Sequence, residues 1–306
     1  MARARLTLAD LGEDRFVASL LPHLPDSPQL RVGPGDDCAV VGSPTAGRLL
    51  LLKTDCIVEG RHFEPDAAAA RVGRKALCRA LSDMAAMGGT PRHALVTLLS
   101  PPDTAASYWH EVYRGLARVA KKYQVSIAGG ETSSAPLRAL SISMTGDIDP
   151  HHLKKRSGGN PGDDLLITGK LGGSRKGKHF SFHPRLEEGQ WLAKHRKVNA
   201  MMDLSDGLAA DLPRLAAASG TGFQLTSIPC TRGVSNHAAL NDGEDYELLI
   251  AVDPELTPRL CRDWRRTFPK LALSKIGRLT VAGEPGHEIS GGFDHFLGTQ
   301  EGAGDD

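Results

Sequence analysis

Few aromatic residues, almost no net charge, no paired cysteine motif and no long apolar run mark this 306-residue sequence, and each lack removes a class of function. Aromatics make up 5% of the chain and are not interleaved with a basic face, which argues against a nucleic-acid stacking platform. The 37 basic and 36 acidic side chains leave a formal balance of +1, so no whole-molecule field draws polyanions or an anionic membrane surface. Cys38, Cys56, Cys78, Cys230 and Cys261 are scattered, odd in number and lack a Cys-x-x-Cys pair, which speaks against zinc or dithiol chemistry and fits a reducing cytoplasm. No stretch approaches the ~20 apolar residues of a membrane span. Met1 to Leu11 reaches Thr7 and Asp10 without an apolar segment, so no secretory leader is expected.

What is present is an alternation of short apolar runs and helical periodicity. Leu49 to Leu52 and Ala94 to Leu99, bounded by turn residues, read as buried strands. Val72, Ala76, Ala80, Leu81 and Met84 recur at helical spacing, as do Trp109, Val112, Leu116, Val119 and Tyr123 behind an expected Asp103 N-cap. After Ser141 to Thr145 the composition turns polar as far as Gly162, and the domain boundary is placed there, giving residues 1–148 and 149–306. The second half repeats the alternation: strands at Leu165 to Thr168, Ala200 to Met202 and Tyr246 to Val252, a helix from Gly207 and another carrying Leu256, Leu260, Trp264 and Phe268. The pattern is α/β or α+β, twice. Leu81-Ser82-Asp83 is echoed by Leu204-Ser205-Asp206, a hint of related halves. Disorder is expected only in the tail from Gly298.

The chemistry gathers at acids placed where apolar runs end: Asp36-Asp37, Asp55, Asp83, Glu131, Asp203 with Asp206, and Glu244-Asp245. Strand ends and helix starts are where ligands sit in such folds. Read singly, each acid is a solvated loop residue or a helix cap. If several converge, two carboxylates at 4 Å repel by about 4 kcal/mol at an effective dielectric near 20, so convergence predicts divalent cations. Oxygen ligands without His or Cys select Mg²⁺, which completes its shell with water and phosphate and so implies a nucleotide. Gly129-Gly130 and Gly172-Gly173 permit close backbone approach, but neither a Walker nor a dinucleotide glycine pattern is present, and each pair alone reads as a turn. The basic loop residues Lys154, Lys155, Arg156, Arg175, Lys176 and Lys178 read as solvated charge or as phosphate ligands, and for the second role Arg156 is the one singled out. His62 is a substrate contact or a packed residue, and Ser205, between two aspartates, suits phosphate binding better than nucleophilic attack.

In order along the chain, Gly35-Asp36-Asp37, Thr54-Asp55, Val58-Glu59-Gly60-Arg61-His62-Phe63, Leu81-Ser82-Asp83-Met84-Ala85-Ala86-Met87-Gly88-Gly89 and Gly129-Gly130-Glu131-Thr132 resemble the thiamine-monophosphate kinase family. Arg156-Ser157-Gly158, Asp203-Leu204-Ser205-Asp206-Gly207, Gly243-Glu244-Asp245-Tyr246 and Gly292-Phe293-Asp294-His295-Phe296 continue the resemblance over nearly the whole chain. It implies two domains of the aminoimidazole ribonucleotide synthetase type, the first sheet forming a barrel across a homodimer, with ATP and several Mg²⁺ nearby. It maps Asp37, Thr54, Asp55, Asp83, Glu131, Asp203 and Asp206 to metal, with Asp37, Asp83 and Asp206 at the reaction itself. Gly130, Arg156 and Ser205 fall at ATP, and His62, Glu244 and Phe293 at the thiamine phosphate. The implied reaction is direct attack of a thiamine monophosphate oxygen on the γ-phosphoryl group of ATP, yielding thiamine diphosphate.

Five places depart from the family pattern. Lys53 replaces a hydroxyl residue, and an ammonium cannot ligate Mg²⁺, so it is expected to act as a point charge. Glu131 stands where Asp is usual, Ala80 where Asn is, and Ser133-Ser134 where an Arg is common, while the segment from Phe223 to Asp242 is shorter. The alternatives are a relative using ATP on another substrate and a nucleotide-binding protein without catalysis. Nucleic-acid and membrane partners are not expected.

Overall fold

The computed structural model describes residues 7–25, 27–284, 289 and 291–300. Among them two sheets stand side by side. The first has strands β1 (Leu30–Val32), β2 (Ala39–Gly42), β3 (Leu49–Val58), β4 (Thr90–Ser100), β5 (Ser126–Ser134) and β6 (Ala139–Ile148) in the order β1-β2-β3-β6-β4-β5. The second has β7 (Asp164–Thr168), β8 (Val198–Asp203), β9 (Thr221–Leu225), β10 (Leu248–Val252) and β11 (Leu273–Val281) in the order β8-β10-β7-β11-β9. Every pairing in either sheet is antiparallel except β4 with β5, which resolves the alternation read from sequence as α+β. A small hairpin, β12 (Gly292–Asp294) with β13 (Gly298–Gln300), lies where the disordered tail was expected to begin, and residues 301–306 of that tail lie outside the described residues.

Helices α1 (Leu8–Leu11) and α2 (Glu13–Leu20) precede the sheets, α3 (Ala69–Ala86) and α4 (Ala106–Tyr123) belong to the first half, and α5 (Leu186–Ala193), α6 (Leu208–Ser219), α7 (Asn236–Asn241) and α8 (Thr257–Thr267) to the second. The expected Asp103 cap is corrected: the cap position of α4 is Ala105, without a side-chain bond, because Pro101 to Thr104 close their own turn first. The apolar stripes of α3 and α4 were read correctly, and the two helices cross at almost backbone distance. A Cβ on Gly73 would lie 2.0 Å from the Val112 carbonyl oxygen, and one on Gly115 2.0 Å from that of Ala70.

Helix α3 is the centre of the molecule. It packs on α4 and α5 and reaches β3 and β6 of the first sheet and β8 of the second. One continuous apolar cluster accordingly joins Leu51, Leu77 and Ile142 to Met201, Ile250 and Trp264. Through this apolar helix runs a polar row, Lys75, Arg79, Ser82 and Asp83, at positions i, i+4, i+7 and i+8 and therefore on one face.

Candidate active site

Three buried carboxylates from distant stretches meet beside α3: Asp37 in the turn before β2, Asp83 on α3 and Asp203 at the end of β8, each offering an oxygen within 4.8 Å of the others. Each has a partner. Arg156 donates to Asp37 Oδ1 through Nε at 3.0 Å and Nη2 at 2.5 Å, Lys53 Nζ lies 2.6 Å from Asp83 Oδ1, and Ser82 Oγ donates to Asp203 Oδ2 at 2.5 Å. The strain of crowding shows in the proton affinities. Burial and then the Asp37 charge push Asp203 up to about 7, and burial, opposed by Lys53 and reinforced by Asp203, lifts Asp83 well above the carboxylate range. Asp37 Oδ2 is buried with no hydrogen-bond partner. An all-oxygen set with an unsatisfied carboxylate lone pair fits a hard divalent cation.

Strand alternation decides what joins this cluster. Lys53 and Asp55 share the inner face of β3 with buried Leu51 and Ile57, so Asp55 points at α3, where Arg79 grips it through Nη2 at 3.1 Å and Nε at 3.2 Å. Burial draws the Lys53 ammonium down, but Asp83 and Asp55 outweigh it and keep the proton more firmly held than usual.

Next to the acids opens a cleft of about 390 Å³. His62, Phe180, Tyr246 and Phe293 supply ring surfaces, and Arg79, Ser205, Asp206 and Glu244 supply the polar lining. The Arg61 guanidinium lies over Phe293, 4.4 Å from the ring centre. Glu244 and Tyr246 both adopt left-handed backbone, with φ of 54° and 52°, a conformation side chains resist and which here turns both toward the cleft. Lys75, fully buried, bonds Glu244 Oε1 at 2.7 Å and the His62 carbonyl at 2.6 Å, while His179 Nδ1 is 3.1 Å from Glu244 Oε2. Burial would raise Glu244, but His179, Lys75 and Arg79 together hold its carboxyl near 2, and burial pulls Lys75 down to about 8. His62 accepts the Val58 N–H at Nδ1 over 3.0 Å, and burial followed by the Arg79 charge lowers it to about 3, so the imidazole is neutral.

The family described as AIR synthase related protein, N-terminal domain, matches residues 35–148, covering β2 to β6, and its C-terminal domain counterpart matches residues 152–289, covering β7 to β11. The thiamine-monophosphate kinase of Rhodopirellula baltica is 39% identical over 264 residues, 79% of this chain and 83% of that protein. That of Escherichia coli K12 is 32% identical over 327 aligned positions, 93% of this chain and 98% of the relative. The chain belongs to the thiamine-monophosphate kinase family. A solved structure described as AaThiL complexed with AMPPCP and TMP superposes with a TM-score of 0.81 at 28% identity, over 96% of this chain and all of that one.

With the family in hand, the residues expected at its site divide into groups. Asp37, Asp83 and Asp203 converge, with Asp55 alongside. Asp206 lies apart from them, on the wall of the cleft, its Oδ2 2.5 Å from Arg214 Nη1 and its carbonyl accepting the Phe293 N–H at 2.9 Å. Ser205 also lines the cleft, its N–H held by Asp211 at 3.0 Å. His62, Glu244 and Phe293 share the cleft as expected. Thr54 is not brought to the acids: it stands on the outer face of β3, exposed, 3.4 Å from Ser141 Oγ. Glu131 is exposed on the edge strand β5 and accepts only the Thr132 N–H among the bonds the structure shows. Gly130 has a packing reason to be glycine, since a Cβ there would sit 1.9 Å from the Val96 carbonyl oxygen of β4.

Other expectations acquire structural explanations. The Gly172 and Gly173 amides are taken by Asp245 and Asp242. Lys154 is buried on the carbonyls of His195 and Val198, Lys178 pairs with Asp245, and the side chain of Arg175 lies outside the described residues. The echo between Ser82-Asp83 and Ser205-Asp206 is not a structural repeat, one being helix and the other the loop before α6. Lys75, Arg79 and His179 went unread, although the row of polar residues four apart on an apolar helix was the signal for the first two.

Proposed function

We propose that this chain transfers the γ-phosphoryl group of ATP to thiamine monophosphate, giving thiamine diphosphate and ADP. The observation that carries the reading is the adjacency of a buried three-carboxylate cluster and a ring-lined cleft of heterocycle size on one helix face. Family membership and a relative whose solved structure holds AMPPCP and TMP support it. A phosphate oxygen of the acceptor attacks the γ-phosphorus, and the bond to the ADP oxygen breaks. The nucleophile is already anionic, so no strong base is required, and no phosphoenzyme forms. Asp37, Asp83 and Asp203, with Asp55 beside them, would hold Mg²⁺, which when bound neutralises crowded phosphate charge.

The chain's own residues do the positioning. Arg156, held on Asp37, places a guanidinium at the rim of the cluster, and Ser205 and Asp206 line the cleft. Phe293, Tyr246 and Phe180 offer faces to a flat heterocycle, while Glu244, kept ionised, suits its cationic or amino groups. Exposure of Leu52 and Leu95 on the first sheet, and of the edge strand β5, supports a homodimer formed through that sheet. Among the described residues no helix is long and apolar enough to cross a membrane, and the free cysteines support a cytoplasmic location.

The direct test is formation of thiamine diphosphate from thiamine monophosphate, ATP and Mg²⁺ by wild type, and its loss in Asp83→Asn. Tight nucleotide binding with no ADP release in the wild type overturns the reading in favour of a non-catalytic binding protein.

A further inference from the structure

Asp294 belongs to the motif from Gly292 to Phe296, yet it lies outside the lining of the cleft. Its carboxylate accepts backbone N–H groups from both ends of the chain. Oδ1 takes those of Phe296 at 2.8 Å and Leu297 at 2.9 Å, closing the turn of the β12–β13 hairpin, and Oδ2 takes that of Glu13 at 2.8 Å. The bond to Glu13 caps α2 from 281 positions away, because the helix's own cap residue is Gly12, which has no side chain for the task. Burial would raise the Asp294 carboxyl, but the three N–H donors and His295 hold it below the usual range.

Other contacts tie the same two pieces together. Phe16 of α2 meets Phe296 edge to face with ring centres 5.8 Å apart, Glu13 Oε2 accepts the His295 N–H at 3.4 Å, and a Cβ on Gly12 would lie 2.9 Å from Leu297 Cδ1. Arg61, whose guanidinium covers the Phe293 ring, donates Nη2 to the carbonyls of Asp294 at 3.1 Å and His295 at 2.5 Å. Phe293 and His295 line the cleft, so the residue between them fastens one wall of it to α2. Both fastened pieces lie outside residues 35–148 and 152–289, which the two family domains cover, whereas Asp37, Asp83 and Asp203 lie within them. The carboxylate cluster thus comes from the shared two-domain fold, and the hairpin wall is held by the segments at its two ends.

We infer that Asp294 is a positioning residue: by pinning the hairpin to α2 it sets Phe293 against the flat ring of the acceptor, resting on the reading above for what that acceptor is, and so governs acceptor recognition separately from nucleotide and metal. Helix α2 is then a working part of the cleft although none of its residues lines it.

Steady-state kinetics of Asp294→Ala, Asp294→Asn and Phe16→Ala, with thiamine monophosphate and ATP varied in turn, test this. Asp294→Ala is expected to raise KM for thiamine monophosphate about tenfold, the low end for a charged hydrogen bond, with KM for ATP and kcat changed less than about twofold. Asp294→Asn keeps one acceptor oxygen and is expected to fall between. Phe16→Ala, which touches the hairpin and not the cleft, is expected to raise the same constant about two- to tenfold. A variant damaged only in folding would lose kcat with both KM values kept; that result, or equal rises for the two substrates, overturns the inference. A second arm needs no substrate: amide hydrogen exchange of residues 292–297 is expected to speed up about tenfold in Asp294→Ala and Phe16→Ala, with β3 and β10 at wild-type rates. Unchanged exchange in the hairpin overturns the fastening. Faster exchange in both variants of a protein whose wild type makes no thiamine diphosphate overturns the functional reading and leaves the fastening supported.

Discussion

Lys53 is a cation set among acids, 2.6 Å from Asp83 and held by Asp55 as well. In Lys53→Ser one more Mg²⁺ per chain is expected in equilibrium dialysis with AMPPCP, since a neutral hydroxyl leaves Asp83 uncompensated; equal stoichiometry in both proteins refutes this. Without metal, the same variant is expected to lose about 3 kcal/mol of unfolding free energy in urea, the cost of stripping one partner from a buried pair. A second residue sets an acid limit. His62 is pulled from 6.5 to about 3, so between those values this group binds fewer protons in the folded protein than in the unfolded chain, and its own contribution to stability falls as pH drops below about 6.5, by up to ~1.4 kcal/mol per unit, against the opposite drift of Asp203, which is pushed up to about 7. Glu244, held near 2, adds loss in the same sense below its ordinary 4.5. Urea midpoints across that interval should show a shallower decline in His62→Asn, whose side-chain oxygen can still accept the Val58 N–H; an unchanged slope contradicts the assignment. The acids were legible from their places at the ends of apolar runs. Arg79 and Lys75 were passed over, because a helix whose neighbours are Ala76, Leu77 and Ala80 reads first as a core stripe, and their i, i+4 spacing marks a polar edge without naming its partners.

At the level of elements, α3 depends on how closely α4 can approach. Gly73→Ala and Gly115→Ala each place a methyl 2.0 Å from a carbonyl oxygen, and because the obstacle is backbone, the helices must separate. A loss of about 1–3 kcal/mol is expected in thermal or urea unfolding, accompanied by lower phosphoryl transfer, because Lys75, Arg79 and Asp83 move with the helix. Wild-type stability and activity in both variants would show the crossing to be slack. Helices and strands were readable because their periods, 3.6 and 2, are local properties. Strand order was not, since nothing local in Thr90 to Ser100 says that it pairs parallel with β5 and antiparallel with β6. The same alternation that exposed Lys53 and Asp55 as inward residues also turned Thr54 out, a consequence visible only once the buried face of β3 is known.

For the whole molecule, the apolar cluster shared by both sheets implies a single cooperative unit, although sequence composition suggests two. Trp109 reports on the first half, and Trp191 with Trp264 on the second. Reporter variants retaining one set or the other are expected to give coincident urea midpoints; separated midpoints would mean that the halves unfold independently. The acidic cluster gives this unity a biosynthetic side. Ser82 and Asp203, bonded to each other, are 121 positions apart, so a growing chain carries Asp37 and Asp83 as an incomplete pair until translation has passed β8. Completion of the cluster thereby waits until about two thirds of the chain has been made, and a gene cut between Ile148 and Asp149 would yield two polypeptides, neither able to assemble the three-carboxylate centre until they find one another.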